Sequence, residues 1–176
     1  MTYQRATGMT HPTEPPSFIP DAGNTRAFRD ALGAFATGVT VITAPGAQGA
    51  VGITANSFAS LSLEPPLVLW SPARGSRRFD TFVQASHFAI HVLGAAQRDL
   101  AAHFARHAQA FDLPGIDTNA QGVPVLPGCL AVFECAREAV HAGGDHAIVV
   151  GRVLAARHRK GAPLVFHGGH FGGFGD

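Results

Sequence analysis

The stretch "CLAVFECAREAVHAGGDHAIVVGRVLAARH", Cys129 to His158, constrains the fold most. It reads as two long strands joined by the tight "AGGD" turn, an antiparallel ribbon in the second half of the chain. A ribbon that long needs a sheet on which to lie. The remaining segments supply one. "VTVIT" is rich in β-branched residues and reads as a strand, "APGAQG" as a turn and "AVGIT" as the start of the next strand. "PLVLWS" is a short apolar strand expected to be covered on both faces. "HFAIHVL" alternates, with Phe88, Ile90 and Val92 on one side and His87, Ala89 and His91 on the other. "PLVF" is a last short strand before a Gly-rich tail.

Helices interrupt these strands. "NTRAFRDALGAFATG" places Phe28, Leu32 and Phe35 at helical spacing, with Asn24 or Thr25 as cap and Gly38 as the stop. Ser76 is placed to cap a helix through "RRFDTFVQAS", with Phe79, Phe82 and Val83 on one side. "AAQRDLAAHFARHAQ" is amphipathic, with Leu100, Phe104 and His107 near one stripe. The order lacks regular βαβ alternation. It predicts an α+β, mainly β chain: an antiparallel barrel or sandwich with peripheral helices. Residues 1–24, rich in Thr, Pro and Gly, are expected to be a flexible extension, and residues 25–176 the domain.

Composition excludes several functions. The 176 residues carry only 14% charged side chains and a net charge of +1, with the basic residues scattered, so no nucleic-acid face is expected. Much apolar and little charged surface favours an oligomer. Cys129 and Cys135 make no disulfide framework, and no apolar run reaches membrane-spanning length, so a soluble cytoplasmic protein is expected. Among ten histidines, His103 and His107 share a helical spacing and "HGGH" pairs His167 with His170. Neither carries the Glu of H-E-x-x-H, and no metal site is expected. No G-x-S-x-G elbow, P-loop or dinucleotide fingerprint is present.

The chemistry concentrates in "GITANSFASLSLEPPLVLWSPARGS". Thr54, Asn56 and Ser57 offer mixed donors and acceptors suited to the edge of a flat heteroaromatic ring. Arg74 and the helix start at Ser76 offer an anion site, although a polar strand and an ordinary capped helix explain the same residues. In "GGDHAIVVGRV", Asp145 either orients His146 or serves the turn alone.

Together, "FATGVTVIT", "GITANSFASLSLEPPLVLWS", "FAIHVLGAAQRDLAAHFA", "FECAREAVHAGGDHAIVVGRV" and "PLVFHGGHF" resemble the flavin reductase-like family, the FMN-binding split barrels. The resemblance is nearest to short-chain NAD(P)H:flavin reductases of two-component monooxygenases and spans about residues 25–172. It implies a homodimeric antiparallel split barrel with FMN or FAD near the subunit interface. NADH or NADPH would be the hydride donor, and a separate flavin-dependent monooxygenase the recipient of reduced flavin. Thr54, Ala55, Asn56 and Ser57 would then line the isoalloxazine, with Ser60 and Leu61 along it. Ser71, Arg74 and Ser76 would hold the phosphate region, and Phe104 would pack at the pocket. His146, steadied by Asp145, would sit near the reacting face. The family often has Tyr near the C-terminal Gly-Gly, where this chain has His170 and Phe171, so a hydroxyl contact is missing there. A flavin-binding or electron-transfer module without reductase activity, and a flavin-dependent oxidase, are the competing readings.

Overall fold

The computed structural model describes residues 14–109, 111–112 and 114–174. Most of the expected flexible extension therefore lies outside the described residues. In chain order the elements are α1 (Thr25–Gly33), β1 (Thr37–Gly38), β2 (Thr40–Ala44), β3 (Val51–Ala55), β4 (Ala59–Ser62), β5 (Leu67–Trp70) and α2 (Phe79–Gln84). Then come β6 (His87–Val92), a 3-10 turn (Ala95–Gln97), α3 (Arg98–Arg106), β7 (Asp117–Thr118) and β8 (Pro124–Val125). The last four strands are β9 (Ala131–Gly143), β10 (His146–His158), β11 (Leu164–His167) and β12 (His170–Gly173).

Seven strands form one sheet in the order β3-β2-β6-β9-β10-β5-β4, and every neighbouring pair is antiparallel. The β9–β10 ribbon is its spine. Bulges at Val150/Gly151 and Val153/Ala155 bend the ribbon, so the sheet can curl. Gly151 is required at the first bend, because a Cβ there would stand 2.6 Å from Cζ of Phe88. A smaller sheet, β1-β11-β12, and the β7–β8 pair complete the strands.

Two apolar cores lie on opposite faces of the central strands. Ile42, Trp70, Phe82, Phe88, Ile90 and Val149 form one, with α2 contributing Phe82. Val39, Val41, Leu93, Phe104, Leu126 and Leu164 belong to the other, with Ala101 and Phe104 of α3 pressed into it. Alternate residues of β2 feed each core, so the strand is buried throughout.

Several local expectations are corrected. α1 stops at Gly33, not Gly38, because Gly38 pairs with Val165 in the smaller sheet. α1 buries none of its residues: Phe28 and Leu32 are 41% and 59% exposed, and Phe35, just beyond its end, is 78% exposed. α2 starts at Phe79, three residues after Ser76, whose Oγ accepts from the Arg78 amide in a local turn. β5 is buried on one face only, at Val68 and Trp70. His107 falls beyond the end of α3 and is exposed. The Gly-rich tail is itself a strand, β12, templated by β11.

Candidate active site

The ends of β3 and β5 carry most of the expected site. β3 leaves the sheet at Ala55, whose carbonyl accepts from the Thr40 hydroxyl at 2.7 Å. Thr54 Oγ1 donates to the Ala101 carbonyl of α3 at 2.6 Å. Ser57 Oγ accepts from the Ser71 amide at 2.9 Å and donates to the Ser71 carbonyl at 3.2 Å. The Thr54 and Ser57 hydroxyls are thus committed within the protein. They fix the strand ends, and the Asn56 side chain, which is exposed, is the polar group left to meet a ligand edge.

Thr54, Ala55 and Asn56 open onto a cavity of about 220 Å³. Its other walls are Val39, Ala105, Phe166 and Phe171. Phe166 and Phe171 meet edge to face at 5.4 Å, and the Arg98 guanidinium lies 6.0 Å over the Phe171 ring. Apolar walls with one amide edge fit a flat ring that is greasy on its faces and polar at its rim. Phe171 thus joins the Thr54–Asn56 segment. Phe104 does not line the cavity: it is fully buried beneath it, against Gly52, where a Cβ would stand 2.5 Å from its ring.

The loop after β5 folds onto the ribbon turn. Ala73 bridges His146, the Arg74 amide donates to the Asp145 carbonyl at 2.8 Å, and the Ala147 amide donates to the Pro72 carbonyl at 3.0 Å. Arg74 Nε donates to the Gly144 carbonyl at 3.1 Å, and its guanidinium lies 5.4 Å over Phe79. Ser71, Arg74, Asp145 and His146 are therefore one cluster, coupled to β3 through the Ser57–Ser71 pair. His146 Nδ1 meets Asp145 Oδ1 at 2.8 Å, and that bond, then the charge of the imidazole, holds the Asp145 carboxyl below its ordinary range. With Nδ1 donating, Nε2 is free to face a ligand. Ser60 and Leu61 sit on β4, the sheet edge, exposed and outside these cavities. Ser76 lines a second, larger groove with Arg77, Arg78 and Arg106. Sequence reading passed over these arginines; the adjacent "RR" after Ser76 was the available signal. Among the described residues no three His, Cys, Asp or Glu side chains gather as a metal site.

A bulged antiparallel sheet with few helices is a barrel-type arrangement rather than an α/β dinucleotide domain. The chain belongs to the flavin reductase like domain family, which it matches over residues 32–175. It is 59% identical over 157 residues to the FMN reductase (NADH) SmoA of Agrobacterium fabrum, covering 89% of this chain and 90% of that one. It is 41% identical over 157 residues to HsaB, the flavin-dependent monooxygenase reductase subunit of Rhodococcus jostii, covering 87% and 80%. The NADH:FAD oxidoreductase SgcE6 of Streptomyces globisporus superposes with a TM-score of 0.83 at 36% identity, covering 91% of this chain and 98% of that structure. The fold is thus the antiparallel split barrel with few helices.

Proposed function

We propose that this chain is an NAD(P)H:flavin oxidoreductase that reduces FMN or FAD and releases reduced flavin to a separate monooxygenase. The observation that carries the reading is the cavity between Thr54–Asn56 and the Phe166–Phe171 pair, within a chain so similar to an NADH-dependent FMN reductase. NADH is the favoured donor, since it is named for both that relative and the superposed structure.

A bound flavin supplies the acceptor for a hydride from the nicotinamide. The protein's contribution is orientation and electrostatics. Thr54, Ala55 and Asn56 position the ring edge, and backbone amides there stabilise negative charge as it develops. Phe171 provides an apolar wall that excludes water. Ser71, Arg74 and Ser76 hold the phosphate end, with Ser57 setting Ser71. His146, oriented by Asp145, presents Nε2 as a positioning group for the nicotinamide. No strong acid or base is required.

Residues 25–176 act as the domain, in the cytoplasm, as a homodimer whose second copy covers the exposed α1 face. No helix of the described residues is long and apolar enough to cross a membrane. NADH consumption by the purified protein should depend on added FMN or FAD and saturate with it. Consumption that ignores flavin contradicts the assignment.

A further inference from the structure

Two histidines four residues apart, His103 in the last turn of α3 and His107 as its C-cap, line the groove that Ser76 also lines. Residues so spaced meet on one face of a helix. Their rings do meet: the centroids stand 5.3 Å apart, with the planes at 45°. A metal bound to an imidazole nitrogen at about 2.0–2.1 Å lies about 3.2 Å from the ring centroid, so two imidazoles on one tetrahedral ion have centroids about 5.2 Å apart. The pair already has that separation.

Nε2 of His103 is buried and has no hydrogen-bond partner among the described residues. A buried ring nitrogen left unpaired is costly, and a water or an ion removes the cost. The His103 ring lies edge-on to Phe104 at 5.5 Å, while His107 is exposed and can turn toward it. Arg77, Arg78 and Arg106 line the same groove and repel a cation. That excludes ions held mainly by charge, such as Mg²⁺ and Ca²⁺, which need carboxylate oxygens. It leaves late first-row ions, which bind neutral imidazole strongly, and the ring separation suits tetrahedral Zn²⁺. Asp112 lines the groove but does not gather with the pair as a third ligand, so water fills the other positions of the ion. Phe104, not Glu, follows His103, so the pair is no hydrolytic H-E-x-x-H centre.

We propose that His103 and His107 form a two-histidine site for Zn²⁺ or a like divalent ion, and that the ion reversibly inhibits turnover. Ala105, between them in the chain, is a wall of both the groove and the ring cavity. An ion on the two histidines fixes the end of α3, and with it the Ala105 wall. A flavin that must enter and leave then meets a stiffened cavity. The inhibition rests on the flavin-reductase reading; the binding of the ion does not.

Calorimetric titration of untagged protein with Zn²⁺, with Mg²⁺ as the control, tests the site without turnover. Wild type should bind Zn²⁺ and not Mg²⁺, and His107→Ala should lose one bound Zn²⁺ per chain. His107 is exposed, so the fold should survive its loss, and His103→Gln, as a second variant, should lose the same ion. In assays of flavin-dependent NADH oxidation, Zn²⁺ at the concentration that fills the site should slow wild type, EDTA should restore the rate, and His107→Ala should keep its rate throughout. No Zn²⁺ binding, or the same number of bound ions in wild type and both variants, overturns the site. Zn²⁺ that fills the site yet leaves wild-type turnover unchanged, or slows His107→Ala equally, overturns the inhibition. Zn²⁺ bound at the pair by a chain that shows no flavin-dependent NADH oxidation overturns the reductase reading and leaves the site standing.

Discussion

Arg74 has two attachments, and they separate its roles. Its Nε holds the Gly144 carbonyl beside Asp145, while the rest of the exposed guanidinium remains available to an anion. Arg74→Ala should therefore weaken FMN binding roughly tenfold, the loss of one charge-assisted contact. Riboflavin, which lacks the phosphate, should lose much less in the same fluorescence titration. Equal losses remove Arg74 from the phosphate site. His91 makes a different kind of prediction. It is fully buried, its Nδ1–H donates to the Val41 carbonyl at 3.0 Å and its Nε2 accepts from the Leu126 amide at 3.1 Å. Both nitrogens are satisfied in the neutral form alone, and burial pushes its pKa down from 6.5 to about 4. The folded pKa lies below the unfolded one, so the unfolded chain binds the proton first. Stability from His91 is complete above pH 6.5 and is lost as pH falls toward about 4. The loss is about 3 kcal/mol in total. Urea midpoints across that window should fall, and His91→Gln should flatten the slope. A wild-type midpoint that holds constant across it contradicts the assignment.

At the scale of elements, Gly52 fixes how closely β3 approaches α3. A Cβ there would collide with the Phe104 ring, which lies wholly within the core and has nowhere to move. Gly52→Ala should destabilise the protein by about 1–3 kcal/mol, the usual cost of overpacking. It should also disturb the Thr54–Ala101 bond and so weaken flavin binding. A thermal melt identical to wild type would mean that β3 and α3 are not held in this contact. The same pair shows what sequence can and cannot reveal. Val41, Ile42 and the β9–β10 ribbon were legible because alternation and β-branching act within the strand itself. β12 was not legible, because glycines carry no strand preference and "HFGG" is extended only through pairing with β11. The delayed start of α2 was also hidden: Ser76 satisfies the Arg78 amide in a turn before any helix begins. At the candidate site, the polar residue types stood in the sequence and their hydrogen-bond partners did not. Thr54 and Ser57 looked like ligand donors, yet their hydroxyls bond Ala101 and Ser71, partners 47 and 14 residues away. Phe166 was not legible, because its place at the cavity arises only when distant segments meet.

At the scale of the whole molecule, α1 is the element that one chain leaves incomplete. A nine-residue helix with no buried side chain is marginal alone. The proposed dimer, in which a second copy covers α1, predicts a light-scattering mass about twice the 18.3 kDa of the chain. Phe28→Glu/Leu32→Glu should shift that mass toward the monomer. A monomeric wild type that binds flavin normally contradicts a dimeric site.

A reductase that supplies a separate monooxygenase must let flavin pass through it rather than hold it as a resident group. A modest cavity at Thr54–Asn56 and a solvent-open His146, 43% exposed in its side chain, suit a ligand that enters and leaves. Counting equivalents under anaerobic conditions tests this most directly. A catalytic amount of protein with excess NADH and excess FMN or FAD should bleach many equivalents of flavin, at a rate proportional to protein. Reduction that stops at one flavin per chain contradicts the claim and identifies a resident cofactor instead.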